Sequence, residues 1–211
     1  MSDSIIVELR AATHASHVRL EAMLDLVGTG ITRSRYLAIL RVFLSVYSPV
    51  EKQLQEMSLR ESRLKPASLE SRKKVPLLLS DLRSFGELAN AGADDIAVSE
   101  SMSEQFTVES AERAVGVMYV LEGATLGGQY IVPHVRQHLS LTASQTRFFS
   151  SYGADVAGQW QQFRSFANSF ATASSQRHLI IQGAVDMFCH LEHSCERALT
   201  SLSAQELSLP K

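Results

Sequence analysis

Seven histidines and two cysteines give this 211-residue chain most of its capacity for metal or nucleophilic chemistry, and their spacing sorts them into groups. His14 and His17 fall in Leu9-Arg10-Ala11-Ala12-Thr13-His14-Ala15-Ser16-His17-Val18-Arg19-Leu20-Glu21, a segment that otherwise reads as an amphipathic helix. At about 100° per residue, Arg10, His14, His17 and Glu21 share a stripe roughly 60° wide. Ile6 and Leu24 continue that stripe, and Leu9, Thr13 and Leu20 flank it. A potential metal ligand and its charged neighbours are therefore expected on or beside the face that enters the core. That placement points to a ligand held between this helix and another. His134 and His138 are spaced i,i+4, His190 and His193 i,i+3, and His178 stands alone. No glutamate is followed three residues later by histidine, which tells against the repeated Glu-x-x-His of a di-iron bundle. Cys189 and Cys195 have neither a CxxC spacing nor an activating motif, and read as small buried hydrophobes of a reduced, cytoplasmic protein.

The second informative segment is Val115-Gly116-Val117-Met118-Tyr119-Val120-Leu121-Glu122-Gly123-Ala124-Thr125-Leu126-Gly127-Gly128-Gln129. An interior helical glycine costs about 1 kcal/mol relative to alanine, so four of them need a compensating reason. Gly116, Gly123 and Gly127 share a face. Either a neighbouring helix packs closely on that bare backbone, or a flat ligand lies against it while Gly127-Gly128 lets the helix bend over the ligand. A GxxxGG run opposite a histidine-bearing helix favours the ligand.

The elements that must position these residues are helices. Apolar residues recur at helical spacing throughout, no alternating strand pattern is convincing, and the fold expected is an all-α single domain over residues 1–211, built from six or so helices. Only about four residues at the start and about eight at the end are expected to be flexible. The helices are expected from Ser4 to Leu26, from after the N-cap Thr32 toward Met57, through Leu77 to Phe85, from Ser110 to Pro133, from Val156 to Phe170, and from Ser175 to Leu202. Ser58 to Lys74 reads as a basic loop, and Glu87 to Glu104, acidic and without a basic residue, as a solvated connection with turn chemistry at Asn90 to Asp95. A net charge of −2 gives no support for nucleic acid or an anionic membrane as partner. The most apolar stretch, Ala114 to Val132, carries Glu122 at its centre and is read as a buried helix rather than a membrane span.

Both segments resemble parts of heme oxygenases. Leu9-Arg10, Thr13, His17 and Glu21 are similar to the family's heme-ligand helix, and Gly123 with Gly127-Gly128-Gln129 is similar to its distal helix. The wording Leu121 to Gly128 is most similar to bacterial members that supply biliverdin to phytochromes. One departure is Ala124, where the animal enzymes carry an aspartate, so any distal water network must be organised otherwise.

The resemblance implies a role for each residue. His17 is the implied axial iron ligand, a neutral imidazole as in other histidine-ligated hemes. Glu21 is the implied holder of its tautomer. His14 competes for the ligand role on a neighbouring line, and family register favours His17. Arg10 matches a basic propionate contact; Arg164 is a second candidate, and Tyr119 completes the heme contacts with Gly123, Gly127 and Gly128. The implied reaction takes heme b and O2 to biliverdin, of the IXα isomer, with ferrous iron and carbon monoxide. No GxGxxG fingerprint is present, so electrons would come from an external reductase or ferredoxin. Arg60, Arg63, Lys65, Arg72, Lys73 and Lys74 are a candidate surface for an acidic donor, although a solvated loop accounts for them as well. The alternatives are a non-catalytic heme carrier or sensor and, from another class, a thiaminase-type helical enzyme, which would need a nucleophilic cysteine in a pocket.

Overall fold

A computed structural model describes residues 4–87 and 106–207, with side chains as far as residue 202. The amino-terminal helix α1 spans Ile5–Leu24 and starts where the Ser4 side chain accepts from the Ile6 N–H. It stops before the Gly28-Thr29-Gly30 signal, because Asp25 takes a left-handed conformation at φ 46° and its N–H closes on the Glu21 carbonyl. Helix α2, Arg33–Arg60, is capped by Thr32 as its sequence implies. The basic loop that follows is not structureless, since two 3-10 turns cover Ser62–Ala67 and Leu69–Arg72. Helix α3 then covers Val75–Ser84. Apart from Glu87, the acidic connection and its turn at residues 90–95 lie outside the described residues.

Helix α4, Ala111–Leu139, carries the glycines and passes through Pro133 without ending there. A one-turn helix α5, Arg147–Ser150, has no periodic signature in the sequence. Asp81 of α3 creates it by accepting the Arg147 and Phe148 N–H groups at 2.8 and 2.9 Å, a cap supplied from another element. Helix α6 spans Val156–Phe170 and α7 spans Ser174–Leu207. Among the described residues there is no strand, and the buried side chains of these helices form one continuous cluster.

Helix α7 organises the packing. The first half of α4 runs antiparallel to it: Phe106 before α4 stacks on His190, Arg113 pairs with Asp186, and Gly116 meets the Ile180 backbone. A Cβ on Gly116 would overlap the Ile180 carbonyl, and one on Gly183 the Arg113 carbonyl, so these two glycines set how closely the helices approach. Helix α1 lies parallel to α7, joined by Glu8–Arg177 and Arg19–Glu192 ion pairs with His17 edge-on to Phe188 between them. Helices α1 and α4 are thus both seated on α7. No helix among the described residues is long and apolar enough to cross a membrane.

Candidate functional site

The core face of α1 is Ile5, Leu9, Thr13, Ser16, Leu20 and Leu24. The Arg10–His14–His17–Glu21 stripe, expected on or beside that face, lies beside it, and all four residues are exposed. Two short polar residues make this placement possible, because their hydroxyls are satisfied while buried. Thr13 donates to the Leu9 carbonyl at 2.7 Å, and Ser16 accepts from Arg19 at 2.9 Å. His17 stands at the margin of the α1–α7 interface with its side chain half exposed, its Nδ1 3.3 Å from Glu21 Oε2.

Helix α4 approaches α1 and its following turn at two points. Burial raises the pKa of the Tyr119 phenol, while Thr13 and then Arg10, both of α1, act against that rise, which sets Tyr119 beside α1. Further on, His134 Nε2 lies 3.2 Å from the carbonyl of Gly28, in the turn after α1. These contacts bracket His17 and Glu21 on one helix, and Gly123 and Gly127 on the other. A Cβ on Gly123 would meet nothing within 4 Å, and one on Gly127 only its own helix neighbour Ile131 at 3.6 Å. Here the backbone is bare because space faces it. Trp160 of α6 closes one side, 5.9 Å from the Tyr119 ring.

Gly128 is different. Its Cβ would overlap the Phe149 carbonyl of α5, so this glycine is required by helix packing and does not present its bare side to the groove. Of the three glycines that the resemblance implies as heme contacts, Gly128 is thus the one whose missing side chain is accounted for by a neighbouring element. Gly116 likewise packs on α7, so the shared face of the glycines serves two purposes along its length.

Arg10 and Arg164 are exposed and form no ion pair among the described residues; Arg164 follows Trp160 by one turn. His14 is exposed on the outer side of α1. His134 and His138 stack on each other, 5.5 Å between centroids. Among the described residues, no three His, Cys, Asp or Glu side chains are gathered as a metal-binding group. Cys195 is buried, and burial pushes its thiol up to about 12, the opposite of an activated nucleophile.

The sequence reading missed a buried polar network behind the distal glycines. Glu122 is 3% exposed, accepts from Arg72 at 2.9 Å and from the Tyr152 hydroxyl at 2.8 Å, and has Lys74 Nζ at 3.8 Å. Arg72 and Lys74 therefore belong neither to a docking surface nor to a solvated loop. Arg63 is also engaged, by Glu61 and Glu112, and Lys73 by Glu70. The isolated glutamate in an apolar run was the available signal; its partners lie far away in sequence. A cavity of about 570 Å³ adjoins the network, lined by Leu54, Leu64, Leu69, Met118 and Leu121 with Arg72 and Glu122.

The fold is all-α and sets a histidine–glutamate pair on one helix against open glycines on another. The family model for heme oxygenase matches residues 3–194, and the chain belongs to that family. A heme oxygenase of Xanthomonas campestris pv. campestris is 28% identical over 174 residues, which is 82% of this chain and 96% of that one. The NO- and CO-bound heme oxygenase of Neisseria meningitidis superposes with a TM-score of 0.76 at 18% identity, covering 94% of each chain. Heme oxygenase-1 of the cyanobacterium Synechocystis, solved in complex with heme, gives 0.71 at 16% identity over 97% of this chain and 98% of that one. The enzyme is a heme oxygenase, and the all-α architecture expected from the sequence is the one these structures share.

Proposed function

We propose that the groove between α1 and α4 is where this enzyme holds and cleaves heme b, with His17 as the protein's ligand to the iron. The observation that carries this reading is the pairing of His17 with Glu21 at one wall and the unfilled space over Gly123 and Gly127 at the other. The residues that face each other here suit the group: open helical backbone at Gly123 and Gly127 can take a flat ring, and a single imidazole is a sufficient protein donor. Heme as substrate supplies both the iron that activates O2 and the meso carbon that is oxidised, and the products are biliverdin, ferrous iron and carbon monoxide.

The chain's own residues orient and exclude. Glu21 at Nδ1 fixes the imidazole tautomer and leaves Nε2 for the iron. Gly123 and Gly127 bring backbone, with no acid–base side chain, over the ring, which suits oxidation of the ring itself rather than of a second molecule. Arg10, beside Tyr119, and Arg164 are guanidinium groups free to bind propionates. Tyr119 and Trp160 wall one side, and His14 lies at the exposed edge of α1. Gly128 contributes by locking α4 onto α5. Electrons come from an external reductase or ferredoxin. The likeness of residues 121–128 to phytochrome-associated members supports delivery of biliverdin to a bacterial photoreceptor in the cytoplasm. A hemin titration of His17→Ala tests the site: loss of the histidine-ligated spectrum, partly restored by added imidazole, is expected. If His14→Ala has this effect and His17→Ala does not, the register is wrong.

A further inference from the structure

At Gly123 and Gly127 no neighbouring element lies within 4 Å of where a Cβ would stand, so nothing from another element packs on the distal backbone there. Its position must therefore be fixed from behind, and what lies behind is unusual. Glu122, the residue directly before Gly123, is held by groups from two separate segments: Arg72 from the 3-10 loop, and Tyr152 from the turn before α6. Those groups are themselves anchored. Arg72 donates to the Ala67 carbonyl at 2.7 Å and reaches the Gln159 carbonyl at 3.4 Å. Lys74, 1% exposed, donates to Ser151 at 2.9 Å and lies 3.6 Å from the centroid of the Tyr152 ring. Glu51 fixes the loop by accepting the Lys74 and Val75 N–H groups, the first at 2.5 Å. At the far side of Gly123, Thr125 donates to the Glu122 carbonyl at 2.7 Å, which ties the backbone across the first distal glycine.

A buried ionic cluster is a poor device for stability alone, because desolvation offsets much of its attraction. What it supplies is a defined position. We infer that Glu122 is a positioning residue for heme oxidation: with Arg72, Tyr152 and Lys74 it sets the height of the Gly123–Gly127 backbone over the heme plane. This rests on the heme lying in the groove as proposed above. A residue acting only through the fold would change melting temperature and nothing in the groove; a positioning residue changes the environment of a ligand on the heme.

The test uses the hemin-reconstituted enzyme with Glu122→Gln, Tyr152→Phe, and Leu82→Ala as a buried core control that makes no polar contact with the network. Each is measured for hemin affinity, CO stretching frequency of the ferrous protein, and turnover. Glu122→Gln and Tyr152→Phe are expected to keep hemin affinity within threefold, shift the CO stretch, and lower kcat about tenfold, while Leu82→Ala lowers melting temperature without a CO shift. Unchanged CO stretch and kcat in both network variants would overturn the inference. If these variants do not fold, Glu122→Leu combined with Arg72→Met replaces the ion pair with apolar contact. Full turnover and a native CO stretch in that protein would overturn the inference, and a shifted stretch with reduced turnover supports it. Failure of the unmodified protein to bind hemin through His17 would instead refute the underlying site.

Discussion

At the scale of single residues, the structure separates two kinds of glycine that composition cannot distinguish. Gly127 faces space and Gly128 faces a carbonyl one position later. Gly127→Val should leave the apo melting temperature close to that of the parent and weaken hemin binding at least tenfold in a Soret titration. Gly128→Ala should do the reverse, lowering stability by about 1–3 kcal/mol as an overpacked contact, as read by chemical denaturation. The His17–Glu21 pairing was legible from spacing because residues four apart share one helix face. Arg72 and Tyr152 were not, because what commits them to Glu122 is a contact between residues far apart in sequence, 50 and 30 positions away. A basic loop and a buried cluster have the same composition until the loop is folded back onto an isolated acid.

At the scale of elements, the long helices follow from periodicity and caps. Thr32 and Ser110 each accept from the N–H three residues on, and the Trp160 to Phe170 stripe marks α6 to its end. The stripe comes to lie beside the core face of α1 and not on it because Thr13 and Ser16, polar in a periodicity, pack as small core residues once each hydroxyl is bonded within its own helix. The one-turn α5 was invisible because its cap comes from α3. That cap makes a prediction in pH. Burial raises the Asp81 carboxyl from 3.8 to about 6 against the opposing effect of its two N–H donors. A folded-state pKa above the unfolded value means that the folded protein holds the proton more tightly. The group's contribution is fully present below about pH 4 and is lost as pH rises through 6. Asp81→Asn does not titrate, so its stability relative to the parent should rise between pH 4 and 6 as the parent loses its bound proton. A relative stability that falls over that range in urea denaturation would contradict the raised pKa.

At the scale of the whole molecule, α7 is a common floor on which α1 and α4 stand as opposite walls. The groove is a consequence of that seating, with close approach at Gly116 and Gly183 and open space at Gly123 and Gly127. Rotation of the heme in such a groove is set by what binds its propionates, and Arg10 on the His17 helix is one fixed cation available for that purpose. The unmodified enzyme should give biliverdin IXα as its main product, and Arg10→Ala should add a minority of other isomers on chromatography. An unchanged product ratio would remove Arg10 from the account. The central claim is that this groove destroys the heme it binds through His17, and aerobic turnover of the hemin complex with an external reductant tests it most directly. The Soret band should disappear as a bilin absorbance rises in the parent protein, and neither change should occur in His17→Ala without added imidazole. A Soret band that persists in the parent through repeated reduction under air would mark a carrier and contradict the account.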